Sequence, residues 1–142
     1  MGVHYGPTAE VREQNNVNID EVTPFADQQK FMQACDQTTN QYNSDQYDMY
    51  LDLIKEEVEE LDVALQGHDR VEQLDALIDI LVVTIGAIHS GGFNGEAAWK
   101  EVMSTNFAKI DPNTGKVIKR EDGKVLKPKN WQAPKLAPFI TF

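Results

Sequence analysis

Cysteine is nearly absent from this sequence of 142 residues, which contains only Cys35. A single cysteine excludes a disulfide bond within the chain and any zinc site built on several cysteines. An isolated cysteine is most often a small buried hydrophobic residue. We therefore expect Cys35 to be buried and to have no catalytic role.

Long hydrophobic runs are also missing. A membrane-spanning helix needs about 20 mostly apolar residues, and the most apolar segment, residues 77–88, is interrupted by Asp79 and Thr84. The first residues lack the apolar core of a secretion signal. We therefore expect a cytoplasmic protein that has no membrane partner.

Basic residues are scarce in most of the chain. Residues 1–108 contain 5 Lys or Arg against 20 Asp or Glu, a net charge of −15, whereas residues 109–142 contain 8 against 3, a net charge of +5. An acidic body of this kind repels a nucleic-acid polymer. Some of the acidic residues only solvate helix surfaces, but the asymmetry suits a site where metal ions and a few cations bind a small polyanion.

Apolar residues recur with helical spacing through the middle of the chain. Four helices are predicted, over residues 24–37, 45–66, 69–90 and 95–109. Thr23 and Asn94 are the predicted N-caps of the first and the last. Two alternating runs around Asp122-Gly123 predict a hairpin, and prolines make the rest of the tail extended. The predicted fold class is all-α, a four-helix bundle with a short C-terminal β-hairpin and extended tail.

One domain of this length has a substantial core. We predict an irregular N-terminal arm over residues 1–22, a helical catalytic domain over residues 23–110, and a hairpin and extended tail over residues 111–142 that packs on that domain.

Each long helix carries an apolar stripe. The first consists of Leu51, Ile54, Val58, Leu61 and Leu65, and the second of Val71, Leu74, Ile78, Leu81, Val82, Ile85 and Ile88. Amphipathic helices bury such stripes. We therefore expect an antiparallel pair that packs through them.

Glutamates crowd the first long helix. At 100° per residue, Glu56, Glu57 and Glu60 share one flank. Like charges three or four residues apart repel by about 0.2–0.5 kcal/mol per pair. Alone, this group would be consistent with a solvated acidic face.

The second long helix makes a metal site the more economical interpretation. Glu72, Asp75 and Asp79 lie close together on it, and Asp79 stands among the apolar residues 77–83. A buried carboxylate must be protonated, paired with a cation or bound to a metal, and Arg70, the one basic residue on this helix, lies more than two turns away. Ligation by oxygen atoms alone selects Mg²⁺ or Mn²⁺.

This combination resembles the all-alpha nucleoside triphosphate pyrophosphohydrolases, which include MazG-like proteins, dimeric dUTPases and phosphoribosyl-ATP pyrophosphohydrolases. The resemblance rests on Glu-Glu-x-x-Glu followed by acidic residues on the next helix. It is supported by residues 75–86, 104–109 and 120–127. In the MazG-like pattern the second helix has Glu-x-x-Asp, but Ala76 occupies the Glu position if Asp79 matches the Asp. Either Asp75 replaces that ligand, or the register shifts to Glu72-x-x-Asp75.

The resemblance implies hydrolysis of a ribo- or deoxyribonucleoside triphosphate to the monophosphate and pyrophosphate, with dGTP as a candidate substrate. The alternatives are a phosphoribosyl-ATP pyrophosphohydrolase and a non-catalytic metal- or nucleotide-binding module. The implied metal ligands are Glu56, Glu57, Glu60, Asp75 and Asp79, with Glu56 also the candidate catalytic base. The candidate substrate-binding residues are Asn106, Lys109, Arg120, Lys124 and Lys127. Family members form oligomers, so a homodimer or homotetramer is expected.

Two alternatives stay open in the tail. The hairpin cations either cover the pyrophosphate or only keep an exposed element soluble. Trp131 either stacks on a base or pins the tail to the body of the protein.

Overall fold

The computed structural model describes residues 23–141, and within this range it contains four α-helices. They are α1 (Pro24–Ala34), α2 (Ser44–Gln66), α3 (Arg70–Ser90) and α4 (Gly95–Phe107), followed by a 3₁₀ turn at Ala137–Phe139. The predicted all-α class is confirmed. The predicted N-terminal arm lies outside the described residues.

The predicted helix caps are present. Thr23 Oγ1 accepts a hydrogen bond of 3.0 Å from the backbone N–H of Ala26, and Asn94 Oδ1 accepts one of 3.2 Å from that of Ala97. The first helix ends earlier than predicted because Asp36 has a φ of 58°, a left-handed conformation that a right-handed helix cannot contain. Cys35, next to this turn, is exposed. The prediction that Cys35 is buried was therefore wrong.

Helices α2 and α3 form the predicted antiparallel pair. At one end the backbone N–H of Asn43 donates to the carbonyl of Ser90 at 2.9 Å, and toward the other end Gln73 Nε2 donates to the carbonyl of Ala64 at 3.4 Å. The residues of α3 on the α2 side are buried or half-buried: Gln73, Ala76, Ile80, Val83, Ala87 and Ser90. Their spacing of three and four residues is that of one helix face.

The predicted stripe of α3 is buried only in its last part, where Ile85 is 3% exposed and Ile88 is half-buried. Val71, Leu74 and Ile78 are 76%, 62% and 51% exposed, and Leu81 and Val82 are exposed as well. At 100° per residue these side chains lie on the side of α3 opposite Ala76 and Ala87. The helix therefore has two apolar faces, and the one with small residues packs on α2 because it allows the two backbones to approach closely.

A similar rotation occurs on α2. Val58 and Leu65 of the predicted stripe are exposed, whereas Tyr50, Glu57 and Ala64 lie on the packed side. The Tyr50 ring lies against Gly86 of α3, where an added Cβ would overlap the ring. This close contact fixes the rotation of α2 and turns Glu57 toward α3.

The end of the helix pair next to α1 is closed by side-chain hydrogen bonds. Gln46 Nε2 donates to the carbonyl of Thr38 at 2.7 Å and to Ser90 Oγ at 2.8 Å, while Gln46 Oε1 accepts from the backbone N–H of Thr38 at 3.0 Å. Tyr50 Oη donates to Gln37 Oε1. We call Thr38, Gln46, Tyr50 and Ser90 the closed end.

The C-terminal segment forms the predicted hairpin as a short paired turn. The backbone N–H of Arg120 donates to the carbonyl of Lys124 at 2.7 Å, and the N–H of Leu126 to the carbonyl of Ile118 at 2.8 Å. Gly123 supplies the positive φ of 90° that the turn needs. Beyond the hairpin the tail returns to the start of α4, where the N–H of Asn94 donates to the carbonyl of Phe139. In the described part of the chain no helix has the length and apolarity to cross a membrane.

Candidate metal and phosphate site

Four carboxylates lie near one another in the half of the α2–α3 pair that is away from the closed end. They are Glu57 and Glu60 of α2 and Asp75 and Asp79 of α3, and we call them the acidic cluster. Burial is the largest influence that raises the pKa of Glu57, and the neighbouring carboxylates of Glu60, Asp79 and Asp75 raise it further. The four residues lie at the same height along the helix pair, because in the antiparallel arrangement residues near 58 of α2 lie opposite residues near 77 of α3.

Asp79 lies at the inner edge of this cluster. It is half-buried, as its apolar neighbours in the sequence predict. Burial raises its pKa most, and the charges of Asp75 and Glu60 raise it further. Burial and mutual repulsion therefore make it costly to ionise the carboxylates of the acidic cluster. A cation bound among them would lower this cost.

One carboxylate oxygen of the acidic cluster lacks a hydrogen-bond donor, which makes it a candidate ligand for a cation. Glu57 Oε2 is buried and has no hydrogen-bond partner among the described residues. A buried acceptor without a partner costs free energy. Among residues 23–141 the recorded ion pair joins Arg120 to Asp122 and does not involve this cluster. A hard divalent cation is the partner that fits such a set of oxygen donors.

The four carboxylates face one another without meeting at a single point. Within residues 23–141 no group of three or more His, Cys, Asp or Glu side chains has converged to a distance that would hold a metal ion. The two helices therefore present carboxylates toward one another without a formed coordination shell.

Two of the acidic candidates lie apart from this cluster. Glu56 is exposed, and Glu72 belongs to the first turn of α3, where its backbone N–H donates to the capping side chain of Asp69. Neither residue contributes to the raised pKa of Glu57 or of Asp79. The structure therefore brings four of the five predicted metal ligands near one another and leaves Glu56 outside the cluster.

Ala76 lies next to the cluster on the packed face of α3 and is only 3% exposed. Asp75, its neighbour, is exposed, and its negative charge raises the pKa of both Glu57 and Asp79.

Three of the predicted phosphate-binding residues meet at the end of α4. Lys109 Nζ donates to Asn106 Oδ1 at 3.0 Å. The same ammonium nitrogen lies 5.1 Å from the centre of the Trp131 ring, and Lys127 Nζ lies 4.7 Å from it. We call Asn106, Lys109, Lys127 and Trp131 the cationic cluster.

Arg120 and Lys124 are not part of this cluster. Arg120 is bound by Asp122 at the hairpin turn, with nitrogen–oxygen distances of 3.0 and 2.5 Å, and this contact holds the pKa of Asp122 below its usual value. Both partners are exposed. No hydrogen bond in the described residues joins either cationic group to the acidic cluster.

The role of Trp131 was left open by the sequence. Its Nε1–H donates to the carbonyl of Thr105 in α4 at 2.7 Å, so Trp131 pins the tail to the helix. The lone tryptophan in a polar tail signalled some anchoring role, but nothing in the sequence indicated the two lysines around its ring.

A comparison with known protein families shows the family to which the chain belongs. The family model described as phosphoribosyl-ATP pyrophosphohydrolase matches residues 27–106, more than half of the chain. The chain belongs to the phosphoribosyl-ATP pyrophosphohydrolase family. This family is part of the MazG-like superfamily of nucleoside triphosphate pyrophosphohydrolases, so the predicted resemblance is confirmed. No curated protein matches the chain.

Membership in the phosphoribosyl-ATP pyrophosphohydrolase family gives the reaction class, a pyrophosphohydrolase of the MazG-like kind. Enzymes of this kind generally use divalent metal ions, in agreement with the buried acceptor on Glu57. The family match includes the whole acidic cluster and ends at Asn106. Lys109, the hairpin and Trp131 lie beyond it.

Proposed function

We propose that this protein is a metal-dependent pyrophosphohydrolase that cleaves a nucleoside triphosphate between its α and β phosphates, releasing the monophosphate and pyrophosphate. The observation that carries the proposal is the acidic cluster, in which a buried oxygen of Glu57 faces carboxylates from the neighbouring helix. A cation is needed to complete this cluster, and a metal-bound triphosphate supplies the complementary polyanion.

Glu57, Glu60, Asp75 and Asp79 would hold Mg²⁺ or Mn²⁺. When bound, such ions neutralise the triphosphate and lower the pKa of the attacking water. Support for Asp75 over Glu72 comes from its influence on the pKa of both Glu57 and Asp79, which Glu72 does not share. Asp75 would thus replace the ligand that Ala76 cannot provide.

Other residues of the chain would handle the water and the leaving group. Glu56, an exposed carboxylate beside Glu57, would orient the water or accept its proton. Asn106, Lys109 and Lys127 would bind phosphate oxygens through charge-assisted hydrogen bonds. Arg120 and Lys124, at the exposed hairpin turn, would make outer contacts to the same polyanion.

The substrate has two candidates that share one scissile bond. A ribo- or deoxyribonucleoside triphosphate, with dGTP as one candidate, is the substrate implied by the acidic pattern. Phosphoribosyl-ATP is favoured by the family whose model the chain matches.

Product analysis distinguishes these candidates. The full chain would be incubated with Mg²⁺ or Mn²⁺ and a panel of ribo- and deoxyribonucleoside triphosphates and phosphoribosyl-ATP, and pyrophosphate would be separated from orthophosphate. We expect pyrophosphate and a monophosphate, lost on addition of a chelator. Orthophosphate as the first product would contradict the proposal. Mn²⁺ binding with no turnover of any substrate would favour a non-catalytic binding module.

A homodimer or homotetramer is also proposed. The exposed apolar side chains of α3, which include Leu74, Ile78 and Leu81, form a continuous stripe, and large stripes of this kind mark association surfaces. Light scattering should give a mass of two or four chains. Ile78→Lys should lower that mass, whereas Ile118→Lys on the exposed hairpin should not. A monomeric native protein would contradict the proposal.

A further inference from the structure

Trp131 holds two lysine side chains that come from different parts of the chain. Lys109 follows α4 directly, and Lys127 closes the hairpin. Their ammonium nitrogens lie 5.1 and 4.7 Å from the centre of the same indole ring, within the distance at which a cation is attracted to an aromatic face. Both lysines, like Trp131, lie outside the part of the chain that matches the family.

The indole is fixed in place by α4 itself. A helix leaves its last four carbonyl groups without partners inside the helix. In α4 the carbonyls of Ser104, Asn106 and Phe107 accept hydrogen bonds from the backbone N–H groups of residues 108, 109 and 110. The remaining carbonyl, that of Thr105, accepts the Nε1–H of Trp131 at 2.7 Å. Trp131 is half-buried in an otherwise largely exposed tail, so its ring has a defined position.

Within residues 23–141 neither ammonium group forms an ion pair, and Asp111 is the one carboxylate that lines the same cavity as Lys109 and Lys127. Both ammonium nitrogens lie within 5.1 Å of the ring centre, and the ion pair within residues 23–141 belongs to Arg120 and Asp122 at the hairpin turn. Lys109 donates instead to the neutral amide of Asn106 at 3.0 Å. Two cations at one ring repel each other unless an anion lies near both.

We propose that Trp131 is a positioning residue that holds Lys109 and Lys127 as one binding site for the phosphates of the substrate. The inference rests on the proposed function and adds to it a part of the chain beyond the family match. The indole face orients the two ammonium groups, and the hydrogen bond to Thr105 fixes the indole. The tail thereby contributes Lys127 to a site that otherwise has Lys109 and Asn106.

The chemical class of the ligand follows from the donors. Two ammonium groups and a side-chain amide suit the oxygens of a diphosphate or triphosphate better than a single carboxylate. Inorganic pyrophosphate, the product of the proposed reaction, is the simplest probe of this site.

Two substitutions separate positioning from simple anchoring. Trp131→Phe and Trp131→Leu both remove the hydrogen bond to Thr105, but only Trp131→Phe keeps an aromatic face. Trp99→Leu is the matched control, because Trp99 lies on α4 but is 60% exposed and neither lysine lies over its ring. Pyrophosphate affinity of the full chain would be measured by calorimetry, and KM and kcat would be measured with the best triphosphate.

We expect Trp131→Leu to weaken pyrophosphate binding and to raise KM by about tenfold, the size of two exposed cation–π contacts, with kcat nearly unchanged. Trp131→Phe should lose less, and Trp99→Leu should lose nothing. In the Trp131→Leu background, Lys127→Met should have a smaller effect than in the native protein, because the two residues act together. Lys100→Met, at an exposed lysine of α4, is the lysine control.

Equal losses in Trp131→Phe and Trp131→Leu, in proportion to lowered thermal stability, would show that Trp131 is only an anchor and would overturn the proposal. Unchanged pyrophosphate affinity in both Lys109→Met and Lys127→Met would overturn it as well. If no nucleotide is hydrolysed but pyrophosphate binding still depends on Trp131, the proposed function fails and the binding site stands. If turnover is normal and KM is insensitive to Trp131, the proposed function stands and this inference fails.

Discussion

The two ends of the α2–α3 helix pair satisfy their polar groups in different ways. At the closed end, Gln46 uses both its carbonyl oxygen and its amide group in hydrogen bonds to Thr38 and Ser90, and Ser90 is fully buried. In the half away from the closed end, the acidic cluster groups carboxylates and leaves Glu57 Oε2 without a partner among the described residues. One end is satisfied by residues 23–141, and the other has a buried acceptor that no residue in this range satisfies.

This difference separates stability from function within a single pair of helices. A satisfied buried network fixes one arrangement of the helices. A cluster of like charges opposes the same pairing until a cation binds, and raised pKa values and unmatched charge are typical of functional sites. We therefore expect substitutions at the closed end to change folding, and substitutions in the acidic cluster to change metal binding and activity.

The largest expected effect is that of Asp79→Asn. Removing one carboxylate from the cluster should lower turnover by at least about 100-fold, since even outer partners of metal ligands contribute 10–100-fold. Thermal stability without metal should stay the same or rise. Pyrophosphate release and thermal melting would be measured side by side. A stable Asp79→Asn protein with full activity would exclude Asp79 as a ligand.

Metal binding should raise the stability of the native protein. A cation at 100 times its dissociation constant stabilises the folded state by about 2.7 kcal/mol if it does not bind the unfolded chain. Melting curves with increasing Mn²⁺ should therefore shift upward, and the shift should be lost in Asp75→Asn but not in Glu72→Gln. The opposite pattern would move the ligand set to the register that contains Glu72.

The closed end is tested by Gln46→Ala. This change leaves Ser90 and Thr38 with fewer partners in a buried site and should cost about 1–3 kcal/mol. Chemical denaturation would measure the loss, with Gln66→Ala at the exposed end of the same helix as the control. Metal affinity per folded molecule should not change. A loss of metal affinity as large as that in the acidic-cluster variants would contradict the inference that the closed end affects only folding.

The smallest expected effect is the pH dependence of Glu57→Gln in metal-free buffer. Burial and neighbouring carboxylates raise the pKa of Glu57 above its ordinary value of 4.5, so the folded state holds this proton more tightly than the unfolded state does. Ionisation therefore lowers stability at pH values above the raised pKa, and the penalty disappears as the pH falls toward 4.5.

Glu57→Gln should accordingly melt slightly higher than the native protein at neutral pH and at the same temperature near pH 4.5. Solvent screening at this half-buried position keeps the difference small. Glu59→Gln, an exposed change on the same helix, is the control for the loss of one negative charge. An equal gain in Glu59→Gln would mean that overall charge, rather than the cluster, is responsible.

The amino-acid sequence by itself determined the helical elements and the grouping of acidic residues in the candidate site. Periodicity and capping residues such as Thr23 and Asn94 are local signals, so the four helices could be predicted to within a few residues. The crowding of Glu57 and Glu60 on one helix and of Asp75 and Asp79 on the next already indicated oxygen ligands, because residues three or four apart share a helix face.

Tertiary structure decided which face of each helix is packed. Helix α3 has apolar residues on two opposite sides, and periodicity cannot rank them; the contact of Tyr50 with Gly86 selects the side with small residues. That choice turns Glu57 inward, leaves Leu74 and Ile78 exposed, and separates Glu56 and Glu72 from the cluster. The meeting of Lys109, Lys127 and Trp131 likewise depends on how the tail returns to α4, a long-range contact that no local pattern encodes.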